Sequence, residues 1–315
     1  MIRKRTILSL ALLASTAACG GGGGGGSAPA ASGGAPAQAA NPTGFSNPSV
    51  AASTDANGNL GTATMSTDGS QTATLDLSGD VNPAALLTIT VPGFNHTFTL
   101  GGPDVTGLSD VTFNGVPIYN VADPNNADGT LTNFNIKTET NSDNSKDTVV
   151  FDVSGLTSSN YGIWSHADAT GKTTAVGAFA AGTDTLASDM PQTGAATYQG
   201  GAVGTGSSNG ANFNLTGLFT GNVDFGSRQV GVSLDMTASQ ADGSAAHWGT
   251  LSSNATITQG TNKYAGAMTS SGTPVAVNGT TSGAFYGPAA AEMGGVFAVS
   301  GSGTSAIGAY GGAKH

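Results

Sequence analysis

Eight times between residues 195 and 312 the chain repeats a run in which apolar and polar residues alternate, each cut off by Gly, Asn, Asp or Ser. Period-two alternation puts one residue class on each face of an extended strand, so these runs specify half-buried β-strands. They fall at 195–204, 212–225, 229–239, 247–258, 262–271, 275–286, 293–300 and 304–312. The second run is the clearest. Phe213, Leu215, Phe219, Val223 and Phe225 share odd parity with Gly217 and Gly221, while Asn212, Asn214, Thr216, Leu218, Thr220, Asn222 and Asp224 take the other face. The third repeats it with Val230, Val232, Leu234 and Met236 against Gly231, Ser233, Asp235 and Thr237. Eight strands suffice to close a small sheet around a side-chain-filled interior, so the pattern predicts a closed eight-stranded antiparallel β-barrel. A polar outer face makes it a soluble barrel. The alternative is a transmembrane barrel with its apolar face in lipid. Parity alone leaves the sidedness open, but the segment Gly311 to His315 lacks the terminal aromatic usual in membrane barrels.

The N-terminal end reads as an export and anchoring signal. Met1 to Arg5 is basic, Ile7 to Leu13 is a short apolar run, and Thr16-Ala-Ala-Cys19 is a small-residue cleavage site, giving a lipoprotein signal peptide over 1–18. The apolar run is far below the roughly 18–20 residues that span a bilayer as a helix, so the expectation is an anchored protein. A plain secretory signal cleaved near Ala18 is the alternative. Against it, Cys19 is the only cysteine and stands where a lipid is attached. Its use there leaves no disulfide and no thiolate metal site. Gly20 is not the aspartate that marks inner-membrane retention, which points to lipid of the outer membrane.

Residues 19–44 carry seven glycines directly after Cys19 and continue in Ser, Ala, Pro and Gly, a composition with nothing to bury. About 25 such residues reach roughly 25–30 Å as a flexible tether. From 45 to 165 short runs rich in Thr, Val, Ile and Phe predict a β-rich domain, with strands at 60–65, 72–77, 86–91, 94–100, 131–137 and 148–153. Ala56-Asn-Gly58, Thr67-Asp-Gly69, Asn114-Gly115 and Ala127-Asp-Gly129 supply turn residues. Residues 166–189 read as a connector and 190–315 as the barrel domain. The whole is all-β, and its formal net charge of −10 argues against a nucleic-acid partner.

The stretch Gly283-Ala-Phe-Tyr-Gly-Pro-Ala-Ala-Ala-Glu-Met-Gly-Gly-Val-Phe297 sets two aromatics, a Gly-Pro turn, an acid and a Gly-Gly pair between two strands. It resembles the signature that closes the C-terminal barrel of the transferrin-binding protein B family of bacterial surface lipoproteins. Ala178-Phe-Ala-Ala-Gly-Thr183, Met190-Pro-Gln-Thr-Gly194 and Ala196-Thr-Tyr-Gln-Gly200 resemble the family's lead into the first barrel strand. The resemblance implies a β-rich handle domain before the barrel and a length of one lobe of the bilobed binder. It further implies a lipid-anchored, surface-exposed outer-membrane binding protein, not an enzyme, that captures iron, haem or a haemoprotein and uses an outer-membrane translocator. The alternative is a structural or adhesive surface lipoprotein without a small ligand.

Catalytic constellations do not stand out. Gly206-Ser-Ser-Asn-Gly210 fits the nucleophile-elbow pattern formally, but a strand-to-helix turn is missing and 50 glycines make such matches common. Asp123 to Gly129 gathers oxygen donors yet lacks the acid that ends a calcium loop, and reads as a hairpin turn. Glu292 is expected to accept hydrogen bonds from corner amides. Because haem acquisition occurs among relatives of the family, His96, flanked by Phe94 and Phe98, and His166, two residues before Asp168, are the candidate haem ligands. No certain cofactor follows. His247 and His315 read as structural or surface residues, and no two histidines have the spacing of a metal pair.

Overall fold

The computed structural model describes residues 49–55, 60, 64–65, 72–76, 85–91, 94–100, 106–107, 112–119, 134–152 and 155–315. The signal, Cys19, the tether and the Asp123 to Gly129 loop lie outside the described residues. So do the turns expected at 56–58, 67–69 and 127–129.

The first part of the chain folds into β1 (Ser49–Ser53), β2 (Thr64–Met65), β3 (Thr72–Asp76), β4 (Ala85–Val91), β5 (Phe94–Leu100), β6 (Thr106–Gly107), β7 (Thr112–Phe113) and β8 (Val116–Pro117). These are followed by β9 (Phe134–Thr140), β10 (Lys146–Asp152), β11 (Ser159–Ala167) and β12 (Thr173–Gly182). They make a seven-stranded sheet in the order β2-β1-β12-β11-β10-β9-β6, a three-stranded meander β3-β4-β5 and a hairpin β7-β8. The hairpin turns at Asn114 and Gly115, both at positive φ, as the Asn-Gly pair predicts.

Strands β11 and β12 depart from the sequence expectation. Residues 166–189, read as a connector, contribute a ten-residue strand between β1 and β11. The reason is burial on both faces. From Val176 to Gly182 every residue of β12 is buried, so the run does not alternate and carries no period-two signal. One face of the sheet, with Val50, Phe134, Val150, Tyr161, Ile163, Val176 and Ala178, packs on Val203, Val296, Ile307 and Ala309 of the barrel wall. The other, with Val149, Phe151, Trp164, Phe179 and Ala181, packs on Ala73, Leu87, Ile89 and Phe98 of the meander. Meander, sheet and barrel wall are thus three successive layers of one compact unit.

The alternation beyond residue 195 is realised as eight strands: β13 (Ala195–Ser208), β14 (Ala211–Asp224), β15 (Gln229–Gln240), β16 (Ala245–Ile257), β17 (Lys263–Ser271), β18 (Asn278–Tyr286), β19 (Glu292–Gly301) and β20 (Thr304–Lys314). Consecutive strands pair antiparallel and β20 pairs back onto β13, from Tyr198↔Lys314 to Ser208↔Thr304, closing the barrel. The sixth strand starts later than expected because Pro274 lacks a ladder donor and Ser270 Oγ ties the Val277 amide into a turn at 2.9 Å. Sidedness is settled: Phe213, Leu215, Phe219, Val223, Val230, Val232, Leu234 and Met236 all point into the core. Each such side chain contributes about 1.5–3 kcal/mol on burial. Among the described residues no helix is long and apolar enough to cross a membrane.

Candidate functional site

The signature Gly283 to Phe297 forms the corner from β18 to β19, and each of its unusual residues has a steric or hydrogen-bonding task. Phe285 lies at the centre of an aromatic group, with Tyr198, Phe225 and Tyr264 at ring-centroid distances of 5.9, 5.7 and 5.5 Å. A Cβ at Gly283 would overlap the Tyr264 ring, and one at Gly295 would meet the Tyr310 hydroxyl. These two glycines therefore make room for a buried chain in which Tyr264 and Thr281 both reach the Tyr310 hydroxyl, at 3.2 and 2.7 Å. Burial pushes the Tyr310 phenol up to about 12. Gly287, at φ 71°, adopts a left-handed backbone in which a Cβ would press on Ser158.

Glu292 makes its contacts across the chain. The expectation of corner amides as its donors is corrected: its carboxylate accepts from the handle loop between β10 and β11. Thr157 donates through its amide at 2.7 Å and its hydroxyl at 3.0 Å, the Ser158 amide at 3.1 Å, and the Ser159 hydroxyl at 2.7 Å. At 4% exposure this is a buried, charge-assisted latch between handle and barrel. Around it, Thr185 Oγ1 donates to the Gly287 carbonyl at 2.6 Å and Tyr286 donates to that of Ala180 at 2.8 Å. Farther along the wall, the β7-β8 hairpin is pinned by Asn214 Nδ2, which donates to the Phe113 and Val116 carbonyls at 3.1 and 2.9 Å. Asn214 lies on the polar face of its strand and is buried because the hairpin covers it. The Tyr119 hydroxyl donates to the carbonyl of Gly243 at 2.9 Å, in the β15-β16 turn.

The two candidate haem ligands lie together, around one carboxylate. Glu139, Asp147 and His166 are cross-strand neighbours on β9, β10 and β11. His166 Nδ1 is 2.6 Å from Asp147 Oδ1. His96, on β5 of the meander, sets Nδ1 3.0 Å from Asp147 Oδ2 and Nε2 2.9 Å from Glu139 Oε2. Both ring nitrogens of His96 thus face carboxylates, and its ring packs edge-on against Phe98 at 4.5 Å. Burial works to raise the Glu139 carboxyl, but hydrogen bonds from His96 and Lys137 outweigh it and hold the group below its ordinary range. Asp168, expected to orient His166, instead caps its own turn through Thr170 and Lys172. Trp164 is fully buried between sheet and meander. Among the described residues no group of three His, Cys, Asp or Glu side chains is arranged to hold a metal ion.

The Gly206 to Gly210 segment is a strand end and a tight hairpin turn, with Asn209 and Gly210 at positive φ. His247 points outward and lies 2.8 Å from Asp235. Sequence reasoning missed its neighbour. The β15-β16 register steps from Met236↔Gly249 to Thr237↔His247, leaving Trp248 as the extra residue of a β-bulge. The signal was there: Leu251, Ser253, Ala255 and Ile257 hold odd parity, and Trp248 breaks it.

The family model described as the C-lobe and N-lobe beta barrels of Tf-binding protein B matches residues 190–314. Solved structures similar to this chain include intact Ap-TbpB with N and C lobes, at 19% identity over 73% of this chain and 52% of that one, TM-score 0.45. Isotype 1 TbpB from serogroup B Neisseria meningitidis is 18% identical over 88% of this chain and 45% of its own, TM-score 0.46. A TbpB double mutant from Haemophilus parasuis Hp5 is 18% identical over 73% and 50%, TM-score 0.45. The chain spans about half the length of these proteins. No curated protein matches it.

Proposed function

We propose that this chain, whose barrel is of the Tf-binding protein B family, is a lipid-anchored protein of the outer-membrane surface that captures an iron-bearing or haem-bearing protein. The family match over the barrel carries the reading. The relatives' names attach transferrin to that barrel type, and a host or environmental iron carrier is the corresponding partner class here. The architecture supports capture over catalysis. The barrel interior is packed with side chains, and the handle is latched to the wall through Glu292. The surface that remains for recognition includes the rim where the β7-β8 hairpin meets the β15-β16 turn, with Tyr119 40% exposed. Large amphipathic side chains of this kind serve as interface anchors. The negative formal charge favours a carrier with a neutral or basic contact face.

Haem ligation by His96 would first have to break a contact to Asp147 or Glu139, so we place the haem or iron within the captured carrier. Cys19 would carry the acyl anchor, with an outer-membrane translocator delivering the chain to the outer leaflet. Proteinase K applied to intact cells tests the placement. Digestion of this chain while a periplasmic marker survives is expected; full protection until the outer membrane is permeabilised would contradict surface display.

A further inference from the structure

The mouth of the barrel holds a cavity of about 310 Å³ whose floor is made by Trp248 and Phe213. Their rings are 6.0 Å apart and inclined at 33°. Trp248 is there because of the bulge. Without the extra residue, the alternation that sends Leu251 and Ala255 inward would send His247 into the mouth and Trp248 outward. The bulge exchanges them, and Gly249 makes it sterically admissible: its φ is +133°, and a Cβ there would lie 2.7 Å from the Ser271 carbonyl and from Thr273. Bulges of this type recur at barrel rims, where they re-aim a side chain. Here the re-aimed indole lines a hollow instead of filling it. The barrel proper is packed, so the hollow is a local feature of this end.

The lining sets the chemistry of an occupant. Ala211, Ala238, Ala246 and Val275 wall the cavity with small apolar groups. Among the described residues no Lys, Arg, Asp or Glu lines it, and the one titratable lining residue among them, His247, has its Nε2 on Asp235. A charged ligand would be desolvated there without a counter-charge, which is costly. Ser208, Asn212, Gln240 and Thr304 complete the wall with uncharged polar groups, so two aromatic rings over a mixed, uncharged lining instead favour a ring that stacks or packs edge-on. The volume is at the lower end of the range of small-molecule sites, about 300–1,000 Å³, and sets a low limit on the occupant's size. We infer that the barrel mouth is a binding site for a small, uncharged, ring-bearing molecule, separate from protein capture at the rim.

N-phenyl-1-naphthylamine, which is uncharged and brightens in an apolar site, is the probe. Titrated into the purified protein in detergent-free buffer, it should give a saturable enhancement at one site per chain. Trp248→Ala should weaken binding on the order of tenfold, the equivalent of losing about 1.4 kcal/mol of ring contact. Ala246→Trp, at an exposed position on the cavity wall, should fill the mouth and abolish binding while the thermal melt stays cooperative. Absence of saturable enhancement in the wild-type protein would overturn the inference. So would enhancement that survives Ala246→Trp unchanged.

Discussion

Replacing Glu292 with alanine should uncouple the handle from the barrel while leaving each able to hold its own core. The carboxylate takes hydrogen bonds from three consecutive handle residues, and they differ in what they lose. Thr157 is exposed and its amide returns to water; the Ser158 amide is half-buried and the Ser159 hydroxyl buried. Stranding these last two, at about 1–3 kcal/mol for each unsatisfied buried group, puts about 2–6 kcal/mol against docking. That is a large part of a domain's margin of about 5–15 kcal/mol. Glu292→Gln keeps one acceptor oxygen but turns an amide toward the remaining donors, so it should cost less than alanine. The chain carries a natural assay, since one of its two tryptophans, Trp164, lies in the handle and the other, Trp248, in the barrel. Urea unfolding of Trp164→Phe and Trp248→Phe backgrounds reports the two parts separately. With Glu292 present the two transitions should coincide; with alanine the handle transition should move to lower urea and separate. Coincident, unshifted transitions in Glu292→Ala would refute the latch.

Gly283→Ala should destabilise the barrel by about 1–3 kcal/mol or more, because the new methyl overlaps the Tyr264 ring, and Tyr264→Leu in the same chain should recover part of the loss; unchanged urea stability would contradict the packing argument. The Glu139 carboxyl is held below its ordinary value of 4.5, so its contribution to handle stability is present above that pH and lost as pH falls through the folded value. Acid titration of the Trp164 signal should show this loss, and Glu139→Gln should flatten the curve in that window; identical curves would contradict it. The fragment 190–315 should melt cooperatively yet self-associate, since removing the handle uncovers Val203, Val296 and Ile307, and a monomer at micromolar concentration by analytical ultracentrifugation would contradict this. Cys19→Ser should move the protein from the membrane to the soluble fraction, and persistent pelleting after a salt wash would contradict the lipid anchor.

The barrel was legible because its strands have one wet and one dry face: alternation located all eight, and the odd-parity face of β14 turned inward as the sum of its apolar residues requires. The handle was half legible. Its outer strands alternate, but β11 and β12 are covered on both sides, and a run such as Ala178-Phe-Ala-Ala carries no periodicity to read. Glu292 stood out by its surroundings in the sequence. Its partners did not, because Thr157 to Ser159 are ordinary turn residues whose donor role comes from docking, 133 or more positions away. The shared carboxylate of His96 and His166 was invisible for a similar reason: Asp147 meets one of them through strand register and the other through packing of the meander on the sheet. Trp248 is readable as a break in the odd parity of its strand.

Capture of an iron-bearing or haem-bearing carrier can be read from binding of the purified chain to immobilised carriers. Transferrin and haemoglobin should be offered in loaded and unloaded forms, beside serum albumin as a bystander. Saturable binding of a loaded carrier is expected, weakened by Tyr119→Ala at the rim and unaffected by the mouth-filling Ala246→Trp. A folded chain that binds none of the carriers, or binds albumin equally, would contradict it.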